Sequence, residues 1–331
     1  MGFKILIADK FPENKIEEFT SLGCKVVYDP GLKEASLTKA VGDELPDIII
    51  VRSTKVGKES IEANPRLNLI IRAGAGYNTI DIATASEQSV YVANCPGKNS
   101  IAVAELALGL ILSLDRKIPD NVADFRAGIW NKEKYSKADG IFGKTLGIIG
   151  TGMIGSEVIS RAKAFGLKVA AWSRSLTPEK AESMDIEYCR DVKELAGKAD
   201  IISVHLALTN DTRGFLGKEF FNSMKDGACF VNTSRAEVID EEALKNAVAA
   251  KNIRAALDVF SGEPSSGTGN FKSDFSGIEN IYCTHHIGAS TKQAQNAISD
   301  EAVKIVKEYI ATGSVRNCVN LLEKTSAKYM L

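Results

Sequence analysis

Charge of one sign is missing from this sequence: 41 Lys and Arg stand against 42 Asp and Glu, a formal net charge of −1. No one-sided field therefore draws the chain to nucleic acid or to an anionic membrane. Long apolar runs are missing too. The longest, Ile101 to Leu114, contains Glu105 and is too short to span a bilayer, so it reads as a buried helix. The six cysteines, Cys24, Cys95, Cys189, Cys229, Cys283 and Cys318, are scattered, with no C-x-x-C pair and no metal-ligand spacing. They predict reduced thiols of a cytoplasmic protein and no metal site. No secretory pattern is expected, because Lys4 interrupts the opening apolar stretch and Asp9 and Lys10 follow it. Leu6 stands where a Met-Gly myristoylation signal needs Ser or Thr. Low-complexity segments and fixed-period repeats are absent as well. A small molecule is left as the expected partner.

What is present centres on Lys144 to Gly155, K-T-L-G-I-I-G-T-G-M-I-G, an apolar run ending in Gly150, Gly152 and Gly155. The strand Thr145 to Ile149 precedes these glycines, a helix Met153 to Phe165 follows, Gly166 closes it, and Leu167 to Trp172 is a second strand. In such a β-α-β unit the first glycine allows the turn, the second admits a pyrophosphate close to the backbone, and the third lets helix and strand pack closely. The helix start at Met153 and Ile154 offers unpaired N–H groups and the positive end of its dipole to an anion.

At 331 residues two domains are expected. Strands Lys4 to Ala8, Cys24 to Tyr28, Asp47 to Val51, Leu69 to Arg72 and Val90 to Val92 alternate with helices Pro12 to Leu22, Leu37 to Val41, Glu59 to Ala63 and Ile82 to Glu87. The long helix Ile101 to Leu114 begins past Asn99 and Ser100, and an amphipathic stretch and a polar arm, Trp130 to Gly140, come after it. Beyond the glycine-rich turn, strands Ile201 to His205, Cys229 to Asn232, Arg254 to Asp258 and Ile281 to Thr284 continue one doubly wound sheet. The last helix, Lys292 to Tyr309, is too long and too late for that sheet and is expected to return to the first domain. The prediction is two doubly wound parallel-sheet α/β domains. Residues 1–98 with 291–331 form a discontinuous flavodoxin-like substrate domain, and 99–290 a Rossmann domain.

Only three histidines are available, His205, His285 and His286, and hydride transfer to a carbonyl calls for a proton donor near neutral pH. His286 leaves a strand at its carboxyl end, as do Arg235, after Val231-Asn232-Thr233-Ser234, and Glu263, after Asp258-Val259-Phe260. In a doubly wound sheet these ends face the ligand crevice. Topology alone can bring the three together; the same residues also read as surface charges and a turn histidine.

Taken in order, Asn99 to Leu106, Gly150 to Gly155, Asn232 to Arg235, Ala256 to Pro264 and His286 to Thr291 resemble motifs of the D-isomer-specific 2-hydroxyacid dehydrogenase family. That resemblance implies that Arg235 holds the substrate carboxylate and keto oxygen, that His286 is the acid/base, and that Glu263 pairs with His286. A carboxylate beside an imidazole favours its protonated form, which suits a donor to an oxyanion. It further implies that Gly74, Ala75 and Gly76 surround the substrate carboxylate, with Asn99 at the mouth, and that Asp258 meets the nicotinamide amide. Val103, His205, Thr233, Ser234 and Gly288 would line the dinucleotide.

Within the family, Val51 to Val56 and Arg72 to Gly76 most resemble phosphoglycerate dehydrogenases. Arg52 with Ser53 and Lys55 is then the expected phosphate site, helped by Lys132 or Lys134. Two departures put loop shape in question: Ala207 replaces a frequent Pro, and Ala236-Glu237 replaces a frequent Gly-Gly. No regulatory domain, and so no serine feedback through one, is expected after Asn320. The alternatives are an NADPH-using hydroxypyruvate or glyoxylate reductase and, in another class, a dinucleotide-sensing corepressor-like protein.

The second Rossmann strand runs into Ser173-Arg174-Ser175, where NAD-selective sites carry an acid about 20 residues past the glycines. NADP is therefore the expected cofactor, with NAD the alternative. The arm from Ile118 to Gly140, with Phe125, Trp130 and Tyr135 but no core of its own, predicts a homodimer.

Overall fold

The computed structural model describes residues 2–264 and 268–320. The chain divides into two compact units, one made of the segments Met1–Asn99 and Thr291–Leu331, the other of Ser100–Ser290. Of the expected first domain, residues 321–331 lie outside the described part.

The first unit holds a parallel sheet of β1 (Lys4–Ile7), β2 (Lys25–Tyr28), β3 (Ile48–Val51), β4 (Leu69–Arg72) and β5 (Tyr91–Asn94), in the order β2-β1-β3-β4-β5. Successive side chains of a strand point to opposite faces, and here both faces are apolar. Ile5, Ile7, Ile48, Ile50, Leu69 and Ile71 enter one core, and Leu6, Ile49, Val51, Ile70 and Val92 enter the other. That is why the strands read as continuous apolar runs and why helices cover both sides.

The helix Lys292–Thr312 sends Ile298, Ala302, Ile305, Val306 and Tyr309 into the first of these cores. Those positions fall on one stripe of a 3.6-residue repeat. Thr291 caps its start by accepting from the Ala294 N–H at 3.1 Å. Gly313, at φ 74°, ends it with an N–H to the Tyr309 carbonyl, three residues beyond the expected end at Tyr309.

The expected strand Val90 to Val92 is shifted to Tyr91–Asn94, residue for residue opposite Leu69–Arg72, and the tail pairs beside it. Ala93 bridges Cys318 in antiparallel fashion, and the Val319 N–H donates to the Val92 carbonyl at 2.8 Å. Asn320 then accepts from the Val92 N–H and donates to the Val90 carbonyl, both at 2.8 Å.

The second unit carries β6 (Thr145–Ile149), β7 (Lys168–Trp172), β8 (Glu187–Tyr188), β9 (Ile201–Val204), β10 (Cys229–Asn232), β11 (Arg254–Leu257) and β12 (Ile281–Cys283). All pair in parallel, in the order β12-β11-β10-β9-β6-β7-β8. β6 is flanked by β7 on one side and β9 on the other, so the strand order reverses there and the glycine-rich turn leaves at the switch point. β8 was not expected from the sequence: two residues at a sheet edge carry no readable alternation.

The arm after the long helix Ser100–Arg116 is less loose than its composition suggests. It forms helices Ile118–Arg126 and Lys132–Tyr135, tied down by Tyr282 Oη on Asp120, and by Tyr135 Oη and Lys134 on Asp124. Phe125, Trp130 and Phe142 nevertheless stand largely exposed. Among the described residues no helix is long and apolar enough to cross a membrane.

Asn320 gives the first prediction. Replacing it by Ala leaves a buried N–H and a buried carbonyl unpaired, at a cost of about 1–3 kcal/mol. A lower urea midpoint is expected; an unchanged midpoint would show that the tail contributes nothing to the sheet edge.

Candidate active site

In the second unit, Gly150 leaves β6 at φ 97°, and a Cβ there would lie 2.6 Å from the His205 carbonyl oxygen. A Cβ on Gly155 would sit 2.0 Å from the Gly150 carbonyl oxygen, so helix and strand can approach only because that atom is missing. Gly152 differs: its Cβ would meet nothing within 4 Å. It begins the helix Met153–Ala164, which no side chain caps, and its neighbours Met153 and Ile154 are exposed and half-buried. The first-turn N–H groups and the dipole therefore face open space suited to an anion.

Two buried polar atoms at the ends of neighbouring strands, His205 Nδ1 and Thr233 Oγ1, have no hydrogen-bond partner. Such groups are normally completed by water or a ligand. The other nitrogen of His205 is 2.9 Å from Ser203 Oγ, and burial pushes the imidazole down to about 3, so this histidine is neutral. A cradle open at Gly152, walled by unsatisfied donors and acceptors, fits a dinucleotide.

The loop after β12 is built on Asp258. This residue is 1% exposed, and its Oδ1 accepts from Thr284 Oγ1 at 2.6 Å and the Ile287 N–H at 2.9 Å, while Oδ2 accepts from the Gly288 N–H at 2.8 Å. His286, in the middle of that loop, is held at φ 50°, a left-handed conformation that costs a non-glycine residue about 1–3 kcal/mol when the surroundings impose it. Its Nδ1 lies 2.7 Å from Glu263 Oε2. Glu263 is itself fixed, Oε1 accepting from the Phe260 N–H at 3.0 Å.

Arg235 follows β10 and donates from Nη1 to the Ser234 carbonyl at 2.6 Å. Burial lowers its affinity for the proton, and the nearby Glu237 and Glu263 oppose that effect. Glu263 is thus bonded to the imidazole and close enough to the guanidinium for its charge to be felt there. His285 is exposed and has no such partner.

Several of the expected cofactor residues have partners within the chain. The hydrogen bonds of Asp258 go to its own loop. Val103 is buried, with Cγ2 3.3 Å from where a Gly288 Cβ would be, so it shapes the loop by packing. Ser234 Oγ is turned inward to Asn232. At the end of β7, Ser173 is half-buried, Ser175 is exposed, and Arg174 stands 85% exposed, 3.9 Å from Asp211. That carboxylate comes from the loop after β9. It escapes a search that looks only just past the second strand.

The first unit gathers its own polar residues at strand ends. Asp9, after β1, accepts through Oδ2 from the N–H groups of Arg52, Ser53 and Thr54 at 2.6, 3.1 and 3.0 Å, and Ser53 Oγ donates to its Oδ1. Asp9 was missed in the sequence, although an acid directly after an apolar strand was the available signal. It folds the loop that presents Arg52, whose Nη1 donates to the Lys10 carbonyl at 3.4 Å. Lys55 is exposed. Gly74 is buried with Ala75 and Gly76 half-buried beyond it. A Cβ on Gly74 would lie 1.5 Å from Arg72 Nη1, so any side chain there would displace that guanidinium. Asn94 Nδ2 donates to the Ala75 carbonyl at 2.6 Å, and Asn99 Oδ1 is buried without a partner. Of the two arm lysines offered as helpers, Lys134 is paired with Asp124 at 3.0 Å and Lys132 is exposed.

Comparison with known proteins agrees with this geometry. Residues 108–288 match the family model described as "D-isomer specific 2-hydroxyacid dehydrogenase, NAD binding domain". The chain is 38% identical over 320 residues to a D-3-phosphoglycerate dehydrogenase of Methanocaldococcus jannaschii, covering 96% of this chain and 59% of that protein. It is 43% identical over 266 residues to a hydroxypyruvate reductase of Thermotoga maritima, covering 79% and 84%. Among solved structures, the NAD+-bound 3-phosphoglycerate dehydrogenase of Entamoeba histolytica superimposes with a TM-score of 0.81 at 28% identity, covering 97% of this chain and all of that one. The chain thus spans about three fifths of the length of the phosphoglycerate dehydrogenases it matches in sequence.

The glycines separate fold from binding. Gly155→Ala is expected to destabilise the protein by about 1–3 kcal/mol through overpacking. Gly152→Ala should unfold like the wild type yet bind dinucleotide more weakly, as read by thermal denaturation and fluorescence titration. Equal affinity in Gly152→Ala and wild type would remove the anion site from this turn.

Proposed function

The chain belongs to the D-isomer specific 2-hydroxyacid dehydrogenase family, and from that membership we propose that it moves a hydride between a nicotinamide dinucleotide and C2 of a D-2-hydroxy acid or its 2-keto partner. The observation that carries this reading is the pairing of His286 Nδ1 with a Glu263 that also neighbours Arg235. With Nδ1 given to Glu263, Nε2 is the nitrogen left to exchange a proton with the C2 oxygen. A bound dinucleotide supplies or accepts the hydride. Gly150, Gly152 and Gly155 with the first turn at Met153 and Ile154 hold its pyrophosphate, and His205 and Thr233 complete hydrogen bonds along it. Arg235 holds the substrate carboxylate and keto oxygen with two prongs, a contact that suits a planar guanidinium.

The substrate best supported is D-3-phosphoglycerate, since Arg52 gives the first unit a guanidinium held at a strand end for a phosphate, with Ser53 and Lys55 beside it. Gly74, Ala75, Gly76 and Asn99 then receive the carboxylate. Hydroxypyruvate is the second reading, favoured by the Thermotoga maritima relative, of which this chain covers the larger share. NADP is the cofactor we favour, because Ser173-Arg174-Ser175 itself carries no acid and Arg174 is exposed at the strand end where a 2′-phosphate would lie. NAD is the alternative, and Asp211, close to Arg174, works in its favour. The exposed Phe125, Trp130 and Phe142 support a homodimer formed through the arm.

Turnover of D-3-phosphoglycerate and hydroxypyruvate, followed by the absorbance of reduced nicotinamide, tests the reading. Dinucleotide binding without turnover of any such acid would point to a sensor. His286→Gln should lower kcat by about 10²–10⁴ with dinucleotide affinity retained, whereas full activity would remove His286 as the acid/base. For the cofactor, wild type is expected to favour NADP(H) in kcat/KM and Ser173→Asp to erase that preference by repulsion. A wild type at least about tenfold better with NAD(H), a difference of about 1.4 kcal/mol, overturns it.

A further inference from the structure

Asn232 is the last residue of β10 and is 0% exposed. Its main chain is locked between two neighbours, in register with Val204 of β9 and Leu257 of β11. Its side chain folds over the three residues that follow. Oδ1 accepts from the Ser234 N–H at 3.0 Å and from Ser234 Oγ at 2.7 Å, and Nδ2 donates to the Arg235 carbonyl at 2.9 Å. One amide therefore fixes the peptide group before Ser234 and the one after Arg235, and Arg235 between them is extended, at φ −145° and ψ 142°, just before the turn Ala236–Val238.

The chemistry singles out asparagine. The bridge needs an acceptor and a donor on one short planar group, and Asn provides both. Asp lacks the donor and would set an oxygen against the Arg235 carbonyl; Ser is too short to span both; Gln is one methylene too long. A core position on a central strand gains nothing in stability from a polar side chain unless its bonds are all made, and here their product is the geometry of a loop.

We propose that Asn232 is the positioning residue that presents Arg235 to the substrate. The proposal rests on the reading of Arg235 as the carboxylate ligand. Asn232 makes no contact with substrate itself and acts only through Arg235, so its loss has no further effect once the guanidinium is gone.

The test compares wild type, Asn232→Asp, Arg235→Ala and the double variant, with hydroxypyruvate and reduced dinucleotide. Asn232→Asp keeps the volume and both acceptor bonds, loses the bond to the Arg235 carbonyl and sets a buried oxygen against it. Its KM for the keto acid is expected to rise about 10- to 100-fold from the displaced guanidinium, with dinucleotide Kd unchanged and a lowered thermal midpoint. The double variant should match Arg235→Ala in kcat/KM. If Asn232→Asp fails to fold, Ser234→Ala, which removes one of the three bonds, takes its place, with a KM rise of about threefold and the same lack of additivity. A wild type that turns over with Asn232→Asp unaltered, or effects that multiply in the double variant, overturns the role of Asn232 alone. A wild type with no turnover of any 2-keto acid overturns the reading of Arg235, and the proposal with it.

Discussion

Three donors converge on the buried carboxylate of Asp258, and the loop that carries His286 has its shape because of them. An apolar residue there would leave two N–H groups and a hydroxyl unpaired, each at a cost of about 1–3 kcal/mol. That satisfied carboxylate holds His286 in a backbone conformation it would not choose alone. Glu263 fixes the ring from the side-chain end, and is anchored in turn by the Phe260 N–H. The imidazole is thus constrained at its backbone and at one nitrogen, and only Nε2 is left for chemistry. The same device recurs in each unit. Asp9 gathers the N–H groups of Arg52, Ser53 and Thr54, and Asn232 spans Ser234 and Arg235. In each case an acceptor at a strand's carboxyl end, buried at Asp258 and Asn232 and half-buried at Asp9, shapes the loop that carries His286, Arg235 or Arg52.

Much of this was legible in the sequence because the signals were local. Apolar runs buried on both faces, a glycine triplet between strand and helix, and a closing glycine such as Gly166 declare their structures within a few positions. The strand ends that carry Glu263 and His286 were readable from topology, whereas their pairing was expected only from the family resemblance.

The remainder depends on long-range partners. The pairing of the tail at Cys318 to Asn320 with β5, more than two hundred residues earlier, leaves no periodic trace. Asp211 reaches Arg174 from a different loop, so the absence of an acid beside Ser173 did not describe the whole surroundings of that guanidinium. The arm's fold, rather than its charge pattern, reveals the partner of Lys134, Asp124.

Hydride transfer is tested most directly by isotope and stereochemistry together. Reduced dinucleotide deuterated at both C4 positions of the nicotinamide, given with hydroxypyruvate, should yield a D-2-hydroxy acid with a single deuterium on C2, by mass spectrometry and chiral chromatography. A product of L configuration, or one whose C2 hydrogen comes from solvent, would contradict the mechanism built on His286, Glu263 and Arg235.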